Sequence, residues 1–498
     1  MVDEPRRSNI LKPKGLALVF ACGTALFSDG YQNGVIGTVN TLIKRIYADD
    51  LPEEELKRYS TTFSSAGFAG IVVGMLVFGV LSDRWGRKNG MMAATLIVFV
   101  FACLSAGAYG ARGNTLGMLQ ALSAYRFFGG IGIGAEYPSG SVAAAENTEQ
   151  KEVPVKAQNG IFALATNSMI DVGFVVAAFV PLVLLWIFGD DHLRIIWRMS
   201  LGLGAIPPLL VLFWRLGMAE PKSFQEYSMK RIPITAYPWA LLFKKFGLRW
   251  FGICLSWFIY DFITYPFGLY GSTVVDTITG KSAKLTLVLG WNVFINLFQI
   301  PGTVIGALLV DRIKPKTLMS ICLILQALFG FLMSGFYTFL IKHIAAFAVM
   351  YGIFLSLGEA GPGNCLGMLA AKSSPASIRG IFYGTAAAIG KVGAFVGTWA
   401  FPAIIDAFPE GPSQETGPFW IGSGLSILSA IVVWFTVTEL GANHMETIDQ
   451  EFFESLKLQG FDINQLGCKP KGTSDHDVNR FDVEEHVEKP SEKLLHSK

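Results

Sequence analysis

Seven ionisable residues stand in stretches that are otherwise almost wholly apolar: Asp29, Arg126, Glu136, Asp171, Asp261, Glu359 and Lys391. A charge is costly in such surroundings and marks a site that binds a proton, an ion or a charged solute. Asp29, beside Gly30 and Gly34, and Asp261, beside Trp257 and Tyr260, suit reversible protonation; the competing reading is a salt bridge or a cap at a broken helix. Lys391 is the one charge in Gly384–Gly397, a stretch rich in small residues. A buried ammonium needs an anion. Either a substrate phosphate or carboxylate supplies it, or an internal acid such as Asp171 or Asp29 does, and both hold if substrate displaces the acid. Glu136 and Tyr137 precede Pro138, which is expected to break its helix, and are candidates for proton transfer and substrate hydrogen bonding. Arg126 is expected to have a structural partner. Glu359, near a similar break, is read either as functional or as the partner of a loop cation such as Arg379.

The elements that position these residues are long and apolar. The chain has 498 residues, 52% hydrophobic and 16% charged, whereas soluble domains carry about 25% charged residues. Segments such as Gly90–Gly110 and Thr317–Tyr337 reach the roughly 20 residues that cross a hydrocarbon core as helix. Twelve spans are expected, at about 15–39, 63–82, 90–110, 118–142, 159–188, 196–217, 248–275, 284–310, 317–338, 344–369, 379–406 and 419–439. Basic residues cluster before the first span (Arg6, Arg7, Lys12, Lys14) and after the second, fourth, sixth, eighth and tenth, which places both termini in the cytoplasm. The expected fold is an all-α membrane protein of two pseudo-symmetric six-helix bundles. Residues 1–14 form a cytoplasmic segment, 15–217 and 248–440 the bundles, 218–247 a basic cytoplasmic linker, and 441–498 a polar cytoplasmic tail, disordered or only locally helical. Five of the six cysteines lie in apolar segments and read as packing residues; Cys468 lies in the tail.

The halves repeat. Asp83–Arg84 matches Asp311–Arg312, Pro138 matches Pro362, and Gly160-Ile161-Phe162 matches Gly380-Ile381-Phe382, at offsets of 228, 224 and 220 residues. Asp29 and Asp261, 232 apart, continue the series and are equivalent positions. Asp171 and Lys391 each lie 11 residues past their matched glycine, so they are equivalent but opposite in charge. Parallel repeats enclosing a midplane site are a transporter architecture.

Between the second and third spans stands Gly79-Val80-Leu81-Ser82-Asp83-Arg84-Trp85-Gly86-Arg87-Lys88. Its glycines allow a tight turn, and its Asp can cap the next helix or pair with an Arg. This loop resembles the hallmark loop of the major facilitator superfamily. The second copy keeps Asp311 and Arg312 but has Lys314 and Pro315 where Gly and Arg stood. The resemblance implies a gate that locks or releases the halves on the cytoplasmic side.

More closely, Phe27–Tyr31, Gly132–Pro138, Trp257–Phe262, Glu359–Gly367 and Arg379–Gly397 resemble the phosphate-type proton symporters, and most of all the fungal glycerophosphoinositol and glycerophosphocholine permeases. The resemblance implies proton coupling at Asp29, Glu136 and Asp261. It implies a substrate site of Lys391, Tyr137, Trp257 and Asp261, joined by Tyr260, Asn364 and a hydroxyl-binding Asn167. Where phosphate symporters have Asn after the Gly-Pro of the tenth span, this chain has Gly363, with Asn364 one position later. The lost side chain should enlarge the cavity and favour a phosphodiester over bare phosphate.

The expected function is proton-coupled import of a glycerophosphodiester across the plasma membrane. The alternatives are an inorganic phosphate or small organic-anion symporter, or a non-transporting nutrient sensor. The expected partners are a small anion, protons and the bilayer, with a monomeric transport unit and no nucleic acid. No nucleophile–base pair or metal cluster appears, so neither an enzyme, a cofactor nor a metal is expected.

Overall fold

The computed structural model describes residues 13–149, 153–279, 284–409, 411–441, 444–461 and 466–467. Arg6, Arg7, Lys12, Lys151, Cys468 and most of the polar tail lie outside the described residues. Twelve helical spans are arranged as two sets of six. In the first set, Pro13–Gly23 runs through a tight turn, Thr24–Leu26, into Phe27–Ile46 as the first span. Glu53–Trp85 and Arg87–Ala106 are the second and third. Thr115–Glu136 with Val142–Thr148 is the fourth, Gln158–Ala165 with Asn167–Phe188 the fifth, and Leu193–Leu203 with Ile206–Arg215 the sixth. The second set comprises Trp239–Thr279, Leu285–Leu297 with Gln299–Ile313, and Pro315–Gly335. Ile344–Gly358 with Asn364–Lys372, then Arg379–Ala407 and Pro412–Thr436, complete it. Ten of these, all but the first and fourth, are long and apolar enough to cross a membrane by composition alone. Large apolar side chains such as Phe213, Leu308 and Phe435 are exposed on the outside, as lipid rather than water would favour.

The two prolines expected to break the fourth and tenth spans do not end them. Each sits in a wide π turn, Tyr137–Ser141 and Glu359–Gly363, after which the helix resumes. Proline has no N–H to continue the ladder, and the extra residue of a π turn absorbs that loss while turning nearby side chains inward.

Small residues bring the site-bearing helices together. A Cβ on Gly30 would stand 1.8 Å from the Ile170 carbonyl oxygen, and one on Gly173 2.3 Å from that of Phe27. The first and fifth spans, which carry Asp29 and Asp171, therefore cross backbone to backbone. In the second half, Gly393 and Gly397 lie equally close to the Phe258 and Phe262 carbonyls of the seventh span. That crossing sets Lys391 beside Asp261. Without a hydrophobic drive between helices in lipid, such close contact supplies much of the association.

The linker contains a short helix, Lys222–Tyr227, and the tail begins with a longer one, His444–Leu458. The tail helix is amphipathic, and its Met445, Ile448, Phe452 and Leu456 join the core that includes Phe246 and Ile378. Local propensity alone does not order this segment; the apolar face of the bundle does.

Gly30→Ala should drive the first and fifth spans apart and destabilise the protein by about 1–3 kcal/mol, the usual effect of overpacking. A thermal melt of the purified protein would read this as a lowered transition. An unchanged melt would contradict the crossing described.

Candidate functional site

Lys391 is the centre of the buried polar groups. It is 2% exposed, in the eleventh span, with its Nζ 3.2 Å from Asp261 Oδ2 of the seventh. The ammonium also donates to the Tyr265 hydroxyl and lies 3.8 Å from the Tyr265 ring centroid and 5.5 Å from that of Tyr137. Its internal acid is thus Asp261, not Asp171 or Asp29 as the sequence suggested. The eleventh span packs against the seventh, which turns Lys391 toward the acid of its own half. Trp257, one turn before it on the seventh span, also reaches Asp261.

Around Lys391 lies a cavity of about 80 Å³, room for only a few waters. Both halves line it. Tyr137 and Asn167 come from the first, and Trp257, Tyr260, Asp261, Asn364 and Lys391 from the second, so the seven residues expected to bind substrate share one space. Asp29 and Glu136 do not line it. Asp29 stands one shell behind, accepting from the Tyr137 hydroxyl and from Asn33 Nδ2 at 2.5 Å. Arg126, expected to have a structural partner, donates to Asn33 Oδ1 at 3.1 Å. Tyr137 thus links the cavity wall to a buried acid. Glu136 is turned away, with Arg215 NH1 2.7 and 2.8 Å from its two oxygens.

Glu359 does not reach Arg379. It lines the cavity, accepting from the Tyr260 hydroxyl at 3.0 Å and Asn167 Nδ2 at 3.1 Å. Its carboxyl is also in hydrogen-bond contact with that of Asp171, which in turn accepts from the Thr303 hydroxyl. Gly363 explains why Glu359 fits: a Cβ there would lie 2.3 Å from Glu359 Oε2 and 3.0 Å from Asn167 Nδ2. The missing side chain therefore does not simply widen the cavity; the Glu359 cluster uses that space.

At the loop between the second and third spans, Asp83 accepts from Arg87 at 2.6 Å and from the Gly380 and Ile381 amides at 2.9 and 2.7 Å. It caps not the following helix but the eleventh span, in the other half. Asp311 repeats this on the fifth span, accepting from the Asn159 and Gly160 amides at 3.2 and 2.8 Å. Gly79 packs against the Gly380 carbonyl, and Gly86 adopts a left-handed φ of 109°. The next two residues bond to the sixth-span end: the Arg87 and Lys88 amides donate to Glu220, and Lys88 Nζ donates to the Leu216 carbonyl. Arg84 and Arg312 are exposed. The buried Arg87 lies 3.3 Å from Glu146, Glu146 lies 2.9 Å from Arg379, and Arg379 lies 3.1 Å from Asp449 of the tail helix. Charges of alternating sign thereby connect both halves and the tail.

Residues 16–233 and 218–452 match the family described as sugar (and other) transporter. The chain belongs to that family. It is a multi-pass membrane protein of the major facilitator fold, in a family of transporters rather than enzymes. It is 43% identical over 461 residues to the major glycerophosphoinositol permease GIT3 of Candida albicans, covering 92% of this chain and 85% of that one. It is 44% identical over 457 residues to the glycerophosphocholine permease GIT4 of the same organism, covering 91% and 84%. Among solved structures, the proton:xylose symporter XylE bound to 6-bromo-6-deoxy-D-glucose superposes with a TM-score of 0.71 at 19% identity, covering 88% of this chain and 98% of that one. At that identity the likeness speaks for the fold alone.

Sequence reasoning missed several residues of this transporter's buried network, among them Glu146, Asp449 and Asn33. Tyr265 was legible, since Trp257, Asp261 and Tyr265 repeat every four residues on one helical face. Arg215 closes the sixth span and reads as an interfacial flank, yet it is wholly buried. Thr303 gives no signal, because a lone Thr in an apolar helix ordinarily bonds its own backbone.

Arg379→Ala would strand Asp449 and leave Glu146 with Arg87 alone. The expected cost is about 3–5 kcal/mol, that of leaving a buried charge unpaired, and Arg84→Ala in the exposed part of the loop should cost under about 0.5 kcal/mol. Thermal melts of the two variants check this contrast; equal melts would refute it.

Proposed function

We propose that the chain imports a glycerophosphodiester, such as glycerophosphoinositol or glycerophosphocholine, across the plasma membrane together with protons. The observation that carries this reading is Lys391, a buried cation held by Asp261 and the Tyr265 hydroxyl, in a cavity lined from both halves. Such a cation suits a monoanionic phosphodiester, and the substrates named for the two fungal permeases are of this class. Inorganic phosphate is the competing substrate, since Lys391 would serve either; the relationship to those permeases favours the diester.

In this reading the moving bodies are residues 15–217 and 248–440, joined by the linker 218–247. The termini and the Asp83 and Asp311 loops face the cytoplasm, where the loops act as gates. The cavity of about 80 Å³ is too small for the diester, so substrate enters as the halves part on the opposite face. Asp29 and Asp261, with Glu136 behind them, take up protons; the anion then binds Lys391 without a second buried negative charge to repel it. Release follows when the Asp83 and Asp311 contacts break.

In cells lacking their own carriers, uptake of labelled glycerophosphoinositol and glycerophosphocholine should rise as external pH falls, with labelled phosphate taken up poorly. Lys391→Ala should abolish that uptake, whereas normal uptake at unchanged apparent affinity would overturn the assignment. Asp261→Asn should stop proton-driven accumulation against a gradient; full accumulation in this variant would remove Asp261 from the proton path.

A further inference from the structure

The cavity offers two different chemistries. Asp261 and Tyr260 are adjacent on the seventh span, so their side chains diverge by about 100° around the helix. Asp261 meets Lys391 on one side, and Tyr260 meets Glu359 on the other. The Lys391 side supplies a cation. On the Glu359 side the unspent hydrogen-bonding capacity belongs chiefly to acceptors.

Two observations define that second side. Glu359 receives one hydrogen bond on each oxygen, from Tyr260 and from Asn167, which leaves further lone pairs. Asn364, 1% exposed, donates its Nδ2 to the Thr303 carbonyl at 2.9 Å, but its Oδ1 has no partner. That residue lines the cavity, so a buried amide oxygen waits there for a donor. A buried acceptor without a donor costs about 1–3 kcal/mol, which a ligand hydroxyl would recover. Behind the cavity wall, Thr303 holds Asp171 and Asp171 holds Glu359. This side of the cavity therefore carries two acids, Glu359 and Asp171. It repels a phosphate and attracts O–H donors.

Resting on the glycerophosphodiester reading above, we propose that Glu359, Asn167 and Asn364 bind the vicinal diol of the substrate's glycerol group while Lys391 holds its phosphodiester. Two adjacent hydroxyls donate to two acceptors, Glu359 and Asn364, and the second Asn167 N–H is available to a hydroxyl oxygen. Glu359 is then a specificity-determining residue: it orients the anion toward Lys391 and selects substrates that carry the glycerol.

The test is displacement of labelled glycerophosphocholine from the purified full-length transporter. The competitors are glycerophosphocholine, glycerophosphoinositol and methyl phosphocholine, which keeps the phosphodiester and choline of the first but lacks the diol. Wild type should prefer both glycerol-bearing diesters to methyl phosphocholine by at least about tenfold, because a site built for hydroxyls rejects an analogue lacking them. Glu359→Gln should lower affinity for both by about tenfold and leave that for methyl phosphocholine unchanged. Asn364→Ala, expected to act in the same direction, carries the test if Glu359→Gln does not fold. An equal loss for all three competitors would mean a structural or proton-binding role and overturn the proposal. Loss shared by glycerophosphocholine and methyl phosphocholine but not by glycerophosphoinositol would assign the acid to the choline cation and overturn it too. If wild type binds these diesters without preferring the diol, this proposal alone fails; if wild type binds none of them, the transport reading fails with it.

Discussion

The closed face of this transporter depends on two carboxylates, each reaching from one half to the start of a helix in the other. Asp83 receives the amides of Gly380 and Ile381, and Asp311 those of Asn159 and Gly160. A helix start presents unpaired N–H groups and the positive end of its dipole. A carboxylate placed there from the opposite half is therefore a cap and a cross-link at once. The halves are joined twice by the same chemistry, and neither joint survives their separation on that face.

The charges around these caps follow from their burial. Arg87, Glu146, Arg379 and Asp449 are wholly or almost wholly out of solvent, and each is tolerable there only because its neighbours carry the opposite sign. The two copies of the loop are not equally well adapted. Gly86 takes its left-handed turn without strain, whereas Lys314, standing in the same place, adopts a φ of 72°. With its ψ of 149°, that conformation is one that glycine alone adopts readily and costs a side chain about 1–3 kcal/mol. The first loop also owns Arg87, where the second has Pro315. Most of the buried charge thus gathers at Asp83, which reaches the tail helix through Arg379 and Asp449, while the Asp311 joint reaches its start through Asn159, Lys372 and Glu149.

Inside the cavity the symmetry is broken in a different way. Lys391 and Asp261 belong to one half, so their contact persists as the halves move. The Asp171–Glu359 contact and the Asn167–Glu359 bond cross between halves and must change. Tyr137 stands between these groups, with its ring near Lys391 and its hydroxyl on Asp29. Motion of the first half therefore moves an acid and a cavity wall together, past a cation that stays with its counter-ion.

Much of this was legible without coordinates. Composition places the chain in a membrane, and the matched Asp, Pro and Gly positions reveal the repeat, because both depend only on residue type and spacing. The same spacing singled out Lys391, Asp261 and Tyr137, since a charge or a polar ring in an apolar helix is conspicuous by itself. The partnerships were not legible. By residue type and spacing, Glu359 is open between a functional role and Arg379, Lys391 between a substrate anion and an acid such as Asp171 or Asp29, and Glu136 is a candidate for proton transfer. In the structure Glu359 meets Tyr260 and Asn167, Lys391 meets Asp261, and Glu136 meets Arg215. By itself the sequence determined the spans, their duplication and the identity of the buried charges. Only the tertiary structure decided which charge meets which, because that depends on the rotation of each helix about its axis and on which helices cross at glycine. Those crossings are set by packing between segments more than a hundred residues apart, which no single helix encodes.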